Sequence, residues 1–172
     1  MSNIVLIGMP GCGKSTCGVL AAKALCMDFA DTDLIIQAQE GRKLQEIIDT
    51  DGNVYFEKAE ERALLESQFD NTVIATGGSA VYYENGMNHL RESGMVIWLK
   101  IGFEEMMDRI KNMRTRGILL KNGETIEEMF REREALYEKY ADIIIDCNNS
   151  TIEETVQKIC NNSSTDLSPD IQ

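Results

Sequence analysis

The sequence predicts an α/β fold with three layers, in which helices cover both faces of a five-stranded parallel sheet. Short apolar segments rich in β-branched residues alternate with helical patterns along most of the chain, and such alternation is typical of a parallel sheet buried on both faces. The length of 172 residues and the 43% of apolar residues suit one domain with a substantial core. We expect this single domain to span residues 1–160, and a disordered polar tail to follow over 161–172.

The first elements surround a glycine-rich turn. Residues 3–8 form a short apolar run, which predicts a strand, and residues 14–26 place small and apolar side chains at helical spacing. Residues 29–33 are a second short strand that ends in two carboxylates. The helix expected over 34–39 should end at Gly41, since glycine often terminates helices.

Two further helices and a strand form the middle of the chain. A short helix is expected over 43–50, with a turn at Gly52. Residues 54–68 place apolar side chains on one side of a helix and charged side chains on the other, which predicts an amphipathic helix. Residues 72–76 are an apolar strand that runs into a glycine pair, and residues 85–93 are expected to be helical.

The last third repeats the alternation of strand and helix. Strands are expected over 95–100 and 143–145, and helices over 103–112, 125–140 and 151–160, the last two each beginning at an N-capping threonine. Ligands of a parallel sheet bind at the C-terminal ends of its strands. The residues that follow the strands should therefore line one cleft.

The turn after the first strand carries the most specific motif of the sequence. The stretch from Gly8 to Ser15 matches G-x-x-x-x-G-K-[ST], with the strand before it and the helix after it that the motif requires. In such a loop Lys14 reaches the β- and γ-phosphates of a nucleoside triphosphate, and Ser15 offers its hydroxyl to Mg²⁺. The expected cofactor contacts are Gly11, Cys12, Gly13, Lys14, Ser15 and Thr16. Cys12 is either an oxidation-sensitive thiol or only a small residue that fits the loop.

Composition narrows the range of partners. The chain has 29 acidic and 17 basic residues, a net charge of −12, which disfavours nucleic acid and anionic membranes. It has no apolar run of about 18 residues, no pattern of a signal peptide and five cysteines without a C-x-x-C pair, so we expect a cytoplasmic protein with free thiols. We expect it to act as a monomer on a small molecule.

Acidic and glycine residues at two other strand ends are candidates for the acceptor side. Of Asp31 and Asp33, one suits the water shell of Mg²⁺ and the other an acceptor hydroxyl, and the alternative is a pair that caps a helix. Gly77 and Gly78 would let backbone N–H groups approach a small substrate, and the alternative is an ordinary tight turn.

Basic residues cluster late in the chain. Seven of the 17 Lys and Arg residues fall between Arg109 and Arg133. Within this stretch Arg114 and Arg116 lie in a glycine-flanked segment that we interpret as a lid over about 113–124, which would exclude water from phosphoryl transfer. The alternative is a solvated basic loop.

Together these motifs resemble the shikimate kinases, one of the nucleoside-monophosphate-kinase-like P-loop kinase families, over residues 3–160. The motifs are Asp31-Thr32-Asp33, Gly77-Gly78-Ser79, Arg116-Gly117-Ile118-Leu119 and Arg133-Glu134-Ala135-Leu136-Tyr137. The resemblance implies an ATP-dependent kinase with a lid and with substrate-binding helices over about 33–64.

The resemblance also implies roles for single residues. Ser15 and Asp31 would serve Mg²⁺, and Lys14 and Arg116 would stabilise the transferred phosphoryl group. Asp33 would bind a ring hydroxyl and act as the base. Arg109 would lie against adenine, and Arg133 would bind the substrate carboxylate beside Gly77 and Gly78.

One position departs from the family. The family has Phe-Arg-x-x-Glu on the substrate-binding helix, where the arginine is a second clamp on the carboxylate, and this chain has Phe56-Glu57-Lys58-Ala59-Glu60. A desolvated carboxylate at Glu57 would repel the carboxylate of shikimate at a cost of several kcal/mol.

Several acceptors therefore remain open. In the first alternative, shikimate still binds through Arg133 alone. Alternatively Arg133 holds a carboxylate and Glu57 an ammonium group, as in homoserine, threonine or serine, or the acceptor is a polyol. A non-catalytic nucleotide-binding relative is the competing class, and a nucleoside-monophosphate kinase is disfavoured because the acceptor helix is acidic.

Overall fold

A computed structural model describes residues 2–111, 120–121 and 123–163. Within these residues it has five strands: Asn3–Ile7 (β1), Asp28–Asp31 (β2), Thr72–Ala75 (β3), Gly94–Lys100 (β4) and Ile143–Asp146 (β5). The α-helices of the same residues are Lys14–Leu25 (α1), Thr32–Glu40 (α2), Leu44–Asp51 (α3), Asn53–Glu66 (α4), Glu84–Ser93 (α5), Phe103–Lys111 (α6), Ile126–Tyr140 (α7) and Ile152–Ser163 (α8).

The strands form one parallel sheet in the order β2-β3-β1-β4-β5. β1 is the central strand, and its Ile4 is paired with Val73 on one side and Met95 on the other. All five residues of β1 are buried, which explains why residues 4–7 are continuously apolar and do not alternate. The predicted five-stranded parallel sheet is confirmed.

Two hydrophobic cores hold the fold. The larger lies between the sheet and the helices that pack on it, with α1 against β3 and α8, and α5 and α7 against β4. The smaller belongs to α2, α3 and α4 alone and is built from Ile36, Ile47, Phe56, Ala59 and Ala63. The predicted substrate-binding region, 33–64, therefore has a core of its own.

Two predicted boundaries are corrected. The second strand ends at Asp31 and not at residue 33, because the Asp31 carboxylate accepts a hydrogen bond of 3.0 Å from the Asp33 backbone N–H and caps α2. The last helix continues to Ser163, where the Ser163 hydroxyl donates to the Ile159 carbonyl. The polar tail therefore does not begin at residue 161, and residues 164–172 lie outside the described part.

The other predicted elements agree with the structure to within two residues. A single turn of 3₁₀ helix over Ala80–Tyr82, directly after the glycine pair, was not predicted. No helix of the described residues is long and apolar enough to cross a membrane.

Candidate active site

The glycine-rich turn after β1 has the backbone of a phosphate-binding loop. Gly13, at φ 97°, lies in the left-handed region and forms the N-cap of α1. Gly8, at φ 144°, packs so closely against β4 that a Cβ there would lie 2.6 Å from the Leu99 carbonyl oxygen. Both positions require glycine. The helix N-terminus behind them carries the partial positive charge that favours phosphate.

Lys14 lies inside this loop and is only 4% exposed. Its ammonium group donates to the Gly8 carbonyl at 2.7 Å and the Met9 carbonyl at 2.9 Å, and it contacts the Cys12 sulfur at 3.6 Å. The loop therefore satisfies a buried cation with its own carbonyls, and a phosphate would compete for the same N–H groups.

Ser15 and Asp31 meet across the first two strand ends. The Ser15 hydroxyl donates to the Asp31 carboxylate at 2.5 Å, and the other oxygen of that carboxylate caps α2. Asp31 thus lies beside Ser15, as expected if both serve Mg²⁺, and it also caps α2, which was the alternative interpretation. Two hard oxygen donors beside a phosphate loop fit Mg²⁺, which commonly takes few protein ligands and completes its shell with water and phosphate. The described residues contain no group of three or more His, Cys, Asp or Glu side chains that could together hold a metal ion.

Asp33, Thr32 and Gly77 lie together at the ends of β2 and β3. The Gly77 backbone N–H donates to the Thr32 hydroxyl at 3.1 Å. A Cβ at Gly77 would lie 3.4 Å from a carboxylate oxygen of Asp33 and 3.0 Å from one of Glu60. The structure thus brings Asp33 and the glycine turn together, as the sequence predicted, and a side chain at Gly77 would crowd the Glu60 carboxylate.

Arg133 of α7 lies against the other glycine of the turn. It is buried, at 2% exposure, and one of its terminal nitrogens would lie 3.2 Å from a Cβ at Gly78. On the same helix, the Tyr137 hydroxyl donates to the Gly78 carbonyl at 2.6 Å. α7 therefore holds the turn from one side and presents a buried cation beside it.

Glu60 connects α4 to the same turn. Its carboxylate accepts hydrogen bonds from the Ser79 hydroxyl at 2.5 Å and from the Tyr83 hydroxyl at 2.7 Å. Burial raises the pKa of Glu60 to about 7, although those two bonds act in the opposite direction; the nearby charge of Asp33 raises it and that of Arg133 lowers it. The sequence showed Glu60 as a retained family residue and gave it no role.

Glu57 lies one turn away from Glu60 on α4, and its environment is different. Its side chain is exposed. The charge of Glu57 is among the smaller causes that raise the pKa of Tyr83, after burial and the Glu60 carboxylate. Glu57 is therefore at the outer side of the Glu60 cluster and in water, and the desolvated state considered from the sequence does not apply.

Arg109 of α6 reaches the phosphate loop from the side of β4 and β5. It donates to the Gly11 carbonyl at 3.2 Å and is paired with Glu105. It lines a cavity of about 680 Å³ at the C-terminal ends of β4 and β5. The other lining residues are Gly102, Phe103, Glu104, Glu105, Asp108, Asn148 and Asn149. Asn148 and Asn149 were missed from the sequence, although their position after a strand was a usable signal.

The predicted lid residues Arg114 and Arg116 lie outside the described part of the chain, as does most of the predicted lid. Of the other predicted site residues, the loop, Asp31, Asp33, Gly77, Gly78, Arg109 and Arg133 all lie at the C-terminal edge of the sheet or against it.

Comparison with known proteins gives one consistent family. The sequence model of the shikimate kinase family matches residues 10–163. A shikimate kinase of Sulfurihydrogenibium sp. (strain YO3AOP1) is 35% identical over 161 residues, which cover 92% of this chain and 96% of that protein. A shikimate kinase of Clostridium botulinum (strain 657 / Type Ba4) is 39% identical over 153 residues, with 87% and 90% covered.

Solved structures agree in fold. The shikimate kinase from Acinetobacter baumannii in complex with shikimate superposes with a TM-score of 0.87 at 28% identity, covering 96% of this chain and 94% of that one. The shikimate kinase from Aquifex aeolicus superposes with a TM-score of 0.82 at 32% identity, with 97% and 99% covered.

Proposed function

The chain belongs to the shikimate kinase family, and from this premise we propose that it transfers the γ-phosphoryl group of ATP to a hydroxyl of shikimate and forms shikimate 3-phosphate. The observation that carries the proposal is the convergence of three strand ends. They bring the Lys14 loop, the Asp31–Asp33 pair and the Gly77–Gly78 turn to one edge of the sheet. A donor loop, a carboxylate and an acceptor turn at one edge are what phosphoryl transfer to an alcohol requires.

On the donor side, Lys14 exchanges its loop carbonyls for the β- and γ-phosphate oxygens and stabilises the charge that develops there. Ser15, with Asp31 in the water shell, would hold Mg²⁺, which supplies charge neutralisation on the phosphates when it is bound. The cavity beside Arg109 is large enough for the base and ribose of the nucleotide. Arg116 is proposed as a further cation on the transferred group.

On the acceptor side, Asp33 orients the hydroxyl and accepts its proton. Arg133 binds the carboxylate against the glycine turn, where Gly78 allows the close approach. We infer that Gly77 and Gly78 contribute backbone contacts to the same acceptor.

Glu57 bears on the choice between shikimate and an acceptor with an ammonium group. Two unit charges 4 Å apart interact by about 1 kcal/mol in water and by several times more in a dry site. Because Glu57 is exposed, the energy of its repulsion of a carboxylate should be close to the value in water. This supports shikimate over the second candidate, a hydroxy amino acid such as homoserine, threonine or serine, in which Glu57 would bind the ammonium.

The test is ATP turnover with each acceptor, followed by identification of the phosphorylated product. We expect ADP formation to depend on shikimate, with homoserine, threonine and serine at background. The Asp33→Asn variant should lose about 10²-fold or more in kcat, while Asp28→Asn, at the exposed start of β2, should retain it.

Three results would count against the proposal. Stimulation by a hydroxy amino acid alone would replace shikimate by the second candidate. ATP hydrolysis unaffected by any acceptor would favour a non-catalytic relative. Full activity of Asp33→Asn would remove the proposed base.

A further inference from the structure

The Tyr82 ring contacts two cations beside the acceptor turn. It ends the 3₁₀ turn that follows Gly77–Ser79, and its side chain is half-buried. The guanidinium carbon of Arg133 lies 5.3 Å from the centroid of its ring, and the ammonium of Lys121 lies 4.7 Å from it. Both distances are within the range of cation–π attraction.

Lys121 is tied to α7 as well as to the ring. Its ammonium contacts the Glu132 carboxylate at 2.6 Å, and the other oxygen of that carboxylate accepts from the Tyr82 hydroxyl at 3.5 Å. The Tyr82 side chain thus connects the 3₁₀ turn to Lys121 and to Glu132 of α7. Lys121 and Glu132 are largely exposed, so their ion pair alone contributes little to stability.

Arg133 is confined between this ring and the glycine turn. It is almost completely buried, with Gly78 close to a terminal nitrogen and the Tyr82 ring close to the guanidinium carbon. A planar guanidinium can pack against an aromatic face, and the hydroxyls of Tyr82 and Tyr137 also hydrogen-bond Arg133. An Arg–aromatic contact is worth more when it is desolvated, as it is here.

The surroundings make such local charge necessary. The chain carries a net charge of −12, and Asp33, Glu57 and Glu60 all lie on the acceptor side. A carboxylate-bearing acceptor therefore needs concentrated positive potential at the turn.

We propose that Tyr82 is a positioning residue for the acceptor carboxylate, whose ring fixes the Arg133 guanidinium and keeps the Lys121 ammonium beside it. Two cations held on one ring then favour a carboxylate at the Gly77–Gly78 turn. This inference rests on one part of the proposed function, namely that the acceptor carries a carboxylate. Tyr82 acts through Arg133, so it should affect acceptor binding and leave the chemical step unchanged.

The first test separates the ring from the hydroxyl. The Tyr82→Leu variant should raise KM for shikimate about tenfold through the loss of the cation–π contact, with kcat and KM for ATP within twofold of wild type. Tyr82→Phe keeps the ring and loses only the hydroxyl's hydrogen bonds with Arg133 and Glu132, so its KM for shikimate should rise much less than that of Tyr82→Leu. Equal KM values for shikimate in Tyr82→Leu and wild type, or a loss in Tyr82→Phe as large as in Tyr82→Leu, would overturn the proposal.

The second test addresses Lys121 with a matched control. Lys121→Met should raise KM for shikimate about threefold, and more at low ionic strength, while Lys121→Arg should restore it. Lys139→Met removes a similar cation, 4.9 Å from the ring of Tyr140 on the same helix, and should leave KM unchanged. If Lys121 acts through the ring, the double variant Tyr82→Leu/Lys121→Met should have the KM of Tyr82→Leu alone. An equal effect of Lys139→Met would overturn the role of Lys121.

The outcomes distinguish this inference from the proposed function. Absence of shikimate turnover in the wild-type protein contradicts the proposed function. Calorimetric titration of wild type and Tyr82→Leu with shikimate then tests the positioning role directly, and equal affinities overturn it. Thermal unfolding is recorded for every variant, and if Tyr82→Leu does not fold, Tyr82→Met and Lys121→Met carry the same comparison.

Discussion

Among single residues, Lys14 has the clearest consequence for activity. Its buried ammonium is bonded to two carbonyls of its own loop. Lys14→Met should lower kcat by about 10²–10³-fold because it removes a cation from the developing phosphoryl charge. It should also lower the melting temperature, since the Gly8 and Met9 carbonyls lose a buried donor. Steady-state kinetics and thermal unfolding measure both effects.

The control for this variant is Lys23→Met, which removes an exposed cation from the last turn of the same helix. It should leave kcat unchanged. A Lys14→Met protein that kept more than a tenth of the wild-type kcat would contradict the proposed role.

Glu60 should make stability depend on pH. Its pKa of about 7 in the folded protein stands above the ordinary value of 4.5. Between these pH values the unfolded chain releases the proton that the folded protein keeps, so the free energy of unfolding falls as pH rises, by about 3 kcal/mol in total. Below pH 4.5 both states are protonated and this contribution is fully present.

Urea unfolding at pH 4.5, 5.5, 6.5 and 7.5 measures this dependence. Glu60→Gln should show a correspondingly flatter profile, while Glu66→Gln, exposed at the end of the same helix, should keep the wild-type slope. Identical slopes for wild type and Glu60→Gln would show that the carboxyl titrates normally.

Glu57 should weaken the binding of a carboxylate slightly. Glu57→Arg replaces repulsion by attraction and should lower KM for shikimate by about three- to tenfold, as expected for a solvent-screened pair. The gain should shrink in 0.5 M salt. Glu66→Arg makes the same charge change elsewhere on α4, and an equal gain there would point to net charge rather than position.

At the scale of elements, α2, α3 and α4 form a unit with a separate core. Ile47 is completely buried in it, and Ile47→Ala should cost about 2–5 kcal/mol. The loss should be local, because stability is distributed over cooperative units. Hydrogen exchange should therefore accelerate in these three helices while β1 and β4 keep their protection.

Val5→Ala is the comparison variant, since Val5 is equally buried but lies in the central strand. It should lower protection throughout the sheet. If Ile47→Ala reduced the protection of β1 as much as that of α4, the two cores would form one cooperative unit.

The elements themselves were largely predictable because their signals are local. Thr125 and Glu128 form a complete capping box at the start of α7, and the glycine-rich loop is specified by consecutive residues. The role proposed for Tyr82 was not predictable, since it depends on Arg133, some 50 residues away. The double role of Asp31 likewise needed the fold to bring Ser15 to it.

At the scale of the whole molecule, the core reaches the acceptor turn through Trp98. This single tryptophan of β4 has its ring 5.7 Å from that of Tyr137, whose hydroxyl bonds the Gly78 carbonyl. Shikimate should therefore change the tryptophan emission with a half-saturation equal to its dissociation constant. Tyr137→Phe should reduce the amplitude, and an unchanged spectrum at saturating shikimate would contradict this connection.

The sequence also predicted which edge of the sheet carries the candidate site, since the C-terminal ends of parallel strands lie at one edge. The sequence did not predict the environment of the acidic residues on the acceptor side. Glu60 and Glu57 lie three positions apart on one helix, yet one is buried with a raised pKa and the other is in water. Only packing distinguishes them.

The strand order has a consequence for biosynthesis. Of the five described strands, β1 comes first along the chain, and its partners are residues 73–75 and 94–98. The nascent chain must therefore close loops of about 70 and 90 residues before β1 is paired on both sides. Closing such loops has an entropic cost, and contacts between residues close in sequence do not offset it. We therefore expect the nucleotide loop to fold late. ATP should then bind and stabilise chains in which all five strands are paired, and not shorter chains still emerging from the ribosome.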